Sequence, residues 1–237
     1  MCENCIAMIG RRKFLSGLGL GLAAAALAPQ AAFAAGGATT TVTADEALAR
    51  LKAGNEKYIR APQVCAADLA QAREHVAKSQ APWATIISCA DSRVPPEMLF
   101  GGAGLGELFV ARNAGNMVDV ATMGTIEYGA AALGVPLIVV LGHARCGAVA
   151  AACEMVADNK TYPGSIGPMA QAIAPAAKAV LGQPGDFVDN TVRESARRTA
   201  TKVATQSEIV AGLVKAGKVK VVAARYDLDG GKVEFFA

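Results

Sequence analysis

Two short apolar runs, Trp83 to Ile87 and Leu137 to Leu141, limit what this chain can fold into. Both are rich in β-branched residues and stop at polar or glycine punctuation, the pattern of strands buried on both faces of a parallel sheet. The first run leads into Ser88-Cys89-Ala90-Asp91-Ser92-Arg93 and the second into His143-Ala144-Arg145-Cys146-Gly147. Ligands of open α/β sheets bind beyond the carboxyl ends of the strands. Two cysteines and a histidine delivered there by separate strands are therefore placed for chemistry rather than for packing.

The segments around these runs alternate as an α/β domain requires. Thr43-Ala44-Asp45-Glu46 reads as a capping box, opening a helix with apolar positions Ala44, Ala47, Leu48, Leu51 and Tyr58 that runs to about Ile59. A second helix is expected over Ala66 to Ala77. In it, His75 lies among Arg73, Glu74 and Lys78, the setting of a solvated surface histidine rather than a ligand.

Val94-Pro95-Pro96 can continue neither a ladder nor a helix, so the chain must turn there. Leu108 to Ala111 reads as a second strand ending at Arg112-Asn113-Ala114-Gly115-Asn116, and Asp119 to Leu133 as a helix closed by Gly134 and Pro136. Leu137 to Gly142 follows as a strand and Gly147 to Ala157 as a helix. Two or three helices fill Met169 to Lys215, and Lys218 to Tyr226 with Lys232 to Phe236 forms a terminal hairpin.

The N-terminus carries a different signal. Arg11-Arg12-Lys13-Phe14-Leu15 is a twin-arginine pattern, followed by an apolar stretch to Leu27, Pro29 and a small-residue site at Ala32-Phe33-Ala34. The expected organisation is a twin-arginine signal peptide over 1–34, a linker over 35–42 and one catalytic domain over 43–237. A transmembrane anchor is the competing reading, but Phe14 to Leu27 falls short of the ~20 residues a span needs. Cleavage would remove Arg11, Arg12, Lys13 and Glu3, taking the formal charge from +3 towards neutrality. So balanced a chain gives no reason to expect a nucleic-acid or membrane partner. The expected compartment is the periplasm, or another reached by the twin-arginine route.

Cys2 and Cys5 would leave with the leader, and Cys65, Cys89, Cys146 and Cys153 would stay. Four cysteines in an exported protein could form two disulfides, which competes with a metal reading. The twin-arginine route favours the metal, since it exports proteins already folded and often already loaded.

Zinc takes thiolate and imidazole ligands, and three protein ligands with one position open make a catalytic site. His143-x-x-Cys146 offers two ligands as the chain leaves one strand, and Cys89 offers the third from another. Cys153 lies seven residues beyond Cys146, ~10 Å further along a helix and out of reach of the same ion. Two thiolates cancel the charge of the metal and make a bound water harder to deprotonate. Asp91, held ionised by Arg93, could accept its proton; a plain loop salt bridge is the alternative for this pair.

These motifs together resemble the signature of the β-class carbonic anhydrases: Cys89-x-Asp91-Ser92-Arg93 and His143-x-x-Cys146-Gly147. Between them stands Gly106-Glu107-Leu108-Phe109-x-x-Arg112-Asn113-Ala114-Gly115-Asn116, and before them Leu51-x-x-Gly54-Asn55-x-x-Tyr58. The resemblance implies a mostly parallel central sheet flanked by helices, with extended N-terminal helices. It implies one zinc ion per chain on Cys89, His143 and Cys146, with Asp91 and Arg93 as the catalytic dyad. The reaction implied is reversible hydration of carbon dioxide to bicarbonate and a proton, by attack of zinc-bound hydroxide, in a homodimer or higher homo-oligomer.

Some members of that family hold bicarbonate in an inhibitory pocket with a tryptophan three residues before the first cysteine. Here that residue is Ile86, and Val94 and Tyr128 resemble the other parts of the pocket. The remaining alternatives are a non-catalytic zinc-binding or assembly protein of this fold, a hydrolase of carbon disulfide or carbonyl sulfide, and an oxidised protein with a Cys89–Cys146 disulfide.

Overall fold

A computed structural model describes residues 39–61 and 69–236. The expected leader over 1–34, Cys65 and the first half of the linker lie outside the described residues. Helix α1 (Ala44–Arg60) starts from the expected capping box, the Glu46 N–H donating to Thr43 Oγ1 at 3.3 Å and the Thr43 N–H to Glu46 Oε2 at 2.8 Å. It is followed by α2 (Leu69–Val76), β1 (Ala84–Cys89), α3 (Pro96–Leu99), β2 (Leu108–Asn113), α4 (Val120–Ala131) and β3 (Leu137–His143). The chain ends with α5 (Gly147–Asp158), α6 (Ile166–Val180), α7 (Phe187–Gln206), α8 (Glu208–Lys215), β4 (Lys220–Tyr226) and β5 (Val233–Phe236).

The five strands form one sheet in the order β2-β1-β3-β4-β5, parallel except for the antiparallel β4–β5 hairpin. The α/β architecture expected from the sequence is the one observed. From β1 the chain crosses to β2 on one side, whereas from β3 it crosses to β4 on the other. The strand order therefore reverses between β1 and β3, and that switch point opens a crevice at their carboxyl ends. Cys89 and His143 are the last residues of these two strands.

Alternate residues of the strands feed two cores. Ile86, Leu137, Val139 and Leu141 pack with Leu51 of α1 and Leu99 of α3, whereas Ile87, Ile138 and Val140 pack with Ile126 of α4 and Ala196 and Val203 of α7. A third cluster joins Cys89 and Cys146 to Val149 and Ala152 of α5, Ile173 of α6 and Val192 of α7. Close approach matters most at Gly54, where an added Cβ would stand 2.1 Å from the Phe100 carbonyl oxygen. Beside it, buried Asn55 donates to the Leu99 carbonyl at 3.1 Å and the Gly231 carbonyl at 2.9 Å, and accepts from the Val233 N–H at 2.7 Å. One side chain thus joins α1 to the end of α3 and to the terminal hairpin.

Two expectations are corrected. Val94-Pro95-Pro96 does turn the chain, but a helix begins inside it, with Pro95 as N-cap and Pro96 in the first turn. Proline suits that position because its missing N–H would have no intrahelical partner there. Strand β2 also runs two residues beyond Ala111, since Arg112 and Asn113 still pair with Ser88 and Cys89. Polar side chains at a strand end can hide continued backbone pairing.

Candidate metal centre

Residues three apart on an extended strand point to opposite faces. His143 and Cys146 converge because the chain bends between them. Ala144 prolongs the ladder, its N–H donating to the Tyr226 carbonyl at 2.9 Å, and Arg145 then takes a left-handed conformation with φ 53°. Cys146 is the N-cap of α5, which turns its side chain back towards the strand ends. Cys89 arrives from β1, and the ligand atoms of Cys89, His143 and Cys146 lie within 4.8 Å of one another, all three residues buried.

The polar groups of this trio fit a tetrahedral dication. His143 Nδ1 lies 2.9 Å from the Ala144 carbonyl oxygen, the contact of a donating N–H, which leaves Nε2 with its lone pair. That Nε2 is fully buried and has no hydrogen-bond partner. An orphaned nitrogen beside two sulfurs is costly unless a cation occupies the space between them. The sulfurs of Cys89 and Cys146 are 3.9 Å apart, near the ~3.8 Å that two Zn–S bonds of ~2.3 Å span at a tetrahedral angle. A disulfide would hold them at ~2.05 Å; Cys89, Cys146 and Cys153 are all free.

Electrostatics act unequally on the two thiols. The Cys89 thiol is pushed down to about 4 by the hydrogen bond from Cys146, with His143 and the Gly115 N–H adding to it. That N–H points at Cys89 Sγ from 3.4 Å. The Cys146 thiol is pushed up by the same neighbouring sulfur and by burial. A dication between the sulfurs favours the thiolate form of both.

Asp91 stands at the rim. Arg93 donates to it from Nε at 2.9 Å, from Nη2 at 2.7 Å and from its own backbone N–H at 3.0 Å. These bonds hold the carboxyl well below the usual carboxylate range. Its Oδ2 lies 3.9 Å from His143 Nε2, next to the space the three ligands enclose. The loop is pinned by Arg112, whose Nε donates to the Cys89 carbonyl at 2.9 Å and whose Nη2 donates to the Asp91 carbonyl at 2.7 Å.

All five residues singled out from the sequence, Cys89, Asp91, Arg93, His143 and Cys146, thus lie around one point. Sequence reasoning missed the role of Arg112 and the Gly115 N–H. Arg112 read as strand-end punctuation, and a backbone donor leaves no signal in residue identity; the only trace is Gly115 itself, with φ 77°. Cys153 stays apart, its thiol donating to Thr191 Oγ1 at 3.3 Å. His75 is exposed, as its charged neighbours implied.

The grouping of Ile86, Val94 and Tyr128 is corrected. Ile86 and Val94 are buried on the α1 side of the sheet, whereas Tyr128 packs on Phe109 beneath α4, on the other side. The tyrosines that share the cluster of Ile86 and Val94 are Tyr226, buried in it, and Tyr58, packed against it, their hydroxyls 3.3 Å apart.

Comparison with known proteins converges on one description. The carbonic anhydrase family model matches residues 84–233. Carbonic anhydrase 2 of Mycobacterium tuberculosis is 35% identical over 184 residues, 77% of this chain and 87% of the relative. The carbonic anhydrase of Mycolicibacterium smegmatis is 33% identical, over 78% of this chain and 89% of its own. Among solved structures, the Coccomyxa β-carbonic anhydrase in complex with acetazolamide superposes with TM-score 0.60 at 27% identity, over 82% of this chain and 86% of that one. A tetrameric β-carbonic anhydrase of Sordaria macrospora shares the fold with TM-score 0.63 at 24% identity, over 69% of this chain and 85% of that one.

Proposed function

Because the chain belongs to the β-class carbonic anhydrase family and is by that membership a carbonic anhydrase, we propose that Cys89, His143 and Cys146 hold one zinc ion per chain, at which carbon dioxide is reversibly hydrated. The observation that carries this reading is the buried, unpartnered His143 Nε2 facing two free sulfurs 3.9 Å apart. The metal, when bound, would supply a Lewis acid that makes water more acidic, though less so between two thiolates than among neutral ligands.

The chain's own groups do the rest. The Ala144 carbonyl fixes the imidazole through Nδ1 and so directs Nε2 inward. The Gly115 N–H supports negative charge on Cys89 Sγ. Arg93 keeps Asp91 ionised and turned so that Oδ2 stands beside the centre, where it accepts a proton from water. Arg112 fixes the backbone that carries both Cys89 and Asp91. A non-catalytic zinc protein would need none of the Asp91–Arg93 arrangement.

The same proposal includes export by the twin-arginine route, supported by Arg11-Arg12 and the apolar stretch after it, and no membrane anchor after cleavage. Among the described residues no helix is long and apolar enough to cross a membrane. It also includes self-association: β2 is an edge strand, and Val120 beside it at the start of α4 is 90% exposed.

Stopped-flow hydration of carbon dioxide by zinc-loaded protein, with and without chelator, tests the catalytic reading. A chelator-sensitive rate is expected. Its absence at every pH from neutral to alkaline overturns the reading.

A further inference from the structure

Arg145 stands between two of the proposed ligands, and it is the one exposed residue from Gly142 to Cys146. Its φ of 53° lies in the left-handed region, which L side chains other than Asn and Asp rarely adopt and which crowds the Cβ against the backbone. That conformation brings His143 and Cys146 onto the same point. The strain must be held by something outside the residue. The guanidinium makes a two-pronged pair with Asp229, Nη1 to Oδ2 at 2.8 Å and Nη2 to Oδ1 at 2.8 Å.

Asp229 belongs to the turn between β4 and β5, a rigid partner. The Asp227 N–H donates to the Lys232 carbonyl at 2.8 Å, the Gly231 N–H to the Asp227 carbonyl at 3.0 Å, and the Gly230 N–H to Asp227 Oδ2 at 2.7 Å. Asn55 ties the same turn to α1 through the Gly231 carbonyl and the Val233 N–H. Asp229 also engages a cation that lies close enough to Arg93 for the two guanidinium groups to repel.

We infer that Asp229 is a positioning residue: through its paired hydrogen bonds to Arg145 it clamps the strained bend that sets His143 and Cys146 on one metal ion. The inference rests on the proposed metal centre. An exposed ion pair contributes little to global stability, so its effect belongs in the local geometry of the site.

The test uses the full-length protein loaded with cobalt(II), whose visible absorption reports the ligand set, and follows release of the ion into excess dipicolinate. Asp229→Asn is expected to release the ion about tenfold faster, the lower end of the affinity lost when a partner outside the ligand set is removed. Its thermal midpoint and far-ultraviolet circular dichroism should stay at the wild-type values. Arg145→Gly removes strain and clamp together, because glycine accepts positive φ freely. Arg145→Gly and Arg145→Gly/Asp229→Asn should then both release as slowly as the wild type.

Wild-type release from Asp229→Asn overturns the inference, and so does fast release from the double variant. Amide exchange at Ala144 to Gly147 in metal-free protein reads the clamp independently. Exchange should quicken in Asp229→Asn, and unchanged exchange overturns the clamp even if the chain takes up no cobalt. Failure to take up cobalt counts against the metal centre instead.

Discussion

Arg93 grips Asp91 with Nε on one carboxylate oxygen at 2.9 Å and Nη2 on the other at 2.7 Å, so both oxygens are engaged while Oδ2 stays 3.9 Å from His143 Nε2. The grip keeps the carboxylate charged; in the proposed centre it would also hold Asp91 off the ion and near enough to take a proton. Asp91→Asn is expected to lower the hydration rate by about 10²- to 10⁴-fold, the usual worth of a positioned general base, with zinc content unchanged. Arg93→Ala should lower it too, by freeing Asp91 to fill the open metal position. Stopped-flow rates paired with metal analysis on the same preparations check both.

Metal retention should depend on the imidazole as strongly as on the thiolates, since the three atoms share one point within 4.8 Å. His143→Ala and Cys146→Ser are expected to take zinc from one per chain to a small fraction of that after dialysis against a mild chelator. Elemental analysis of the dialysed proteins is the measurement.

Removing the metal should expose the sulfur pair to oxidation. The Cys89 thiol is held below its ordinary value because Cys146 and the Gly115 N–H stabilise its charge, and the sulfurs start 3.9 Å apart. Chelated protein treated with mild oxidant should lose two thiols as Cys89 and Cys146 join, while loaded protein keeps them. Cys153, buried and pushed up by desolvation, stays reduced in both. Thiol titration in denaturant distinguishes the outcomes.

Acid should weaken the fold. Asp91, Glu46, Asp119 and Glu154 are held below their ordinary values by hydrogen bonds from Arg93, Thr43, the Thr122 N–H and Lys160 respectively. A carboxyl depressed in the folded state binds fewer protons there than when unfolded. Its stabilisation is therefore complete above the unfolded value and is lost as pH falls through the folded one. Urea midpoints should be flat from pH 7 to 6 and should drop progressively below about pH 5.

Gly54→Ala is expected to destabilise the protein by about 3 kcal/mol, the scale of overpacking against backbone that cannot move. The added methyl would meet the Phe100 carbonyl at 2.1 Å and push α1 off the loop it covers. Urea denaturation measures the loss. The contrasting variant Gly124→Ala, where nothing stands within 4 Å of the new atom, should not destabilise.

Much of this protein was legible in its sequence because local rules act on local strings. The apolar runs before Cys89 and His143 specify buried parallel strands, Thr43 and Glu46 specify a helix start, and the polar residues after each strand mark where chemistry could collect. The five candidate site residues could be named because their motifs together resemble a family signature; on spacing alone the thiols could equally pair as a disulfide and Asp91 with Arg93 form a plain loop salt bridge. What only the tertiary structure decided was direction and distance. That Tyr226 rather than Tyr128 lies with Ile86 follows from which face of the sheet each enters, and that depends on strand order. The bend at Arg145, its grip on Asp229 and the donation of Gly115 to a sulfur join segments 84 and 26 residues apart. No string of residues encodes such contacts on its own, since they exist only once the sheet has set its strands side by side.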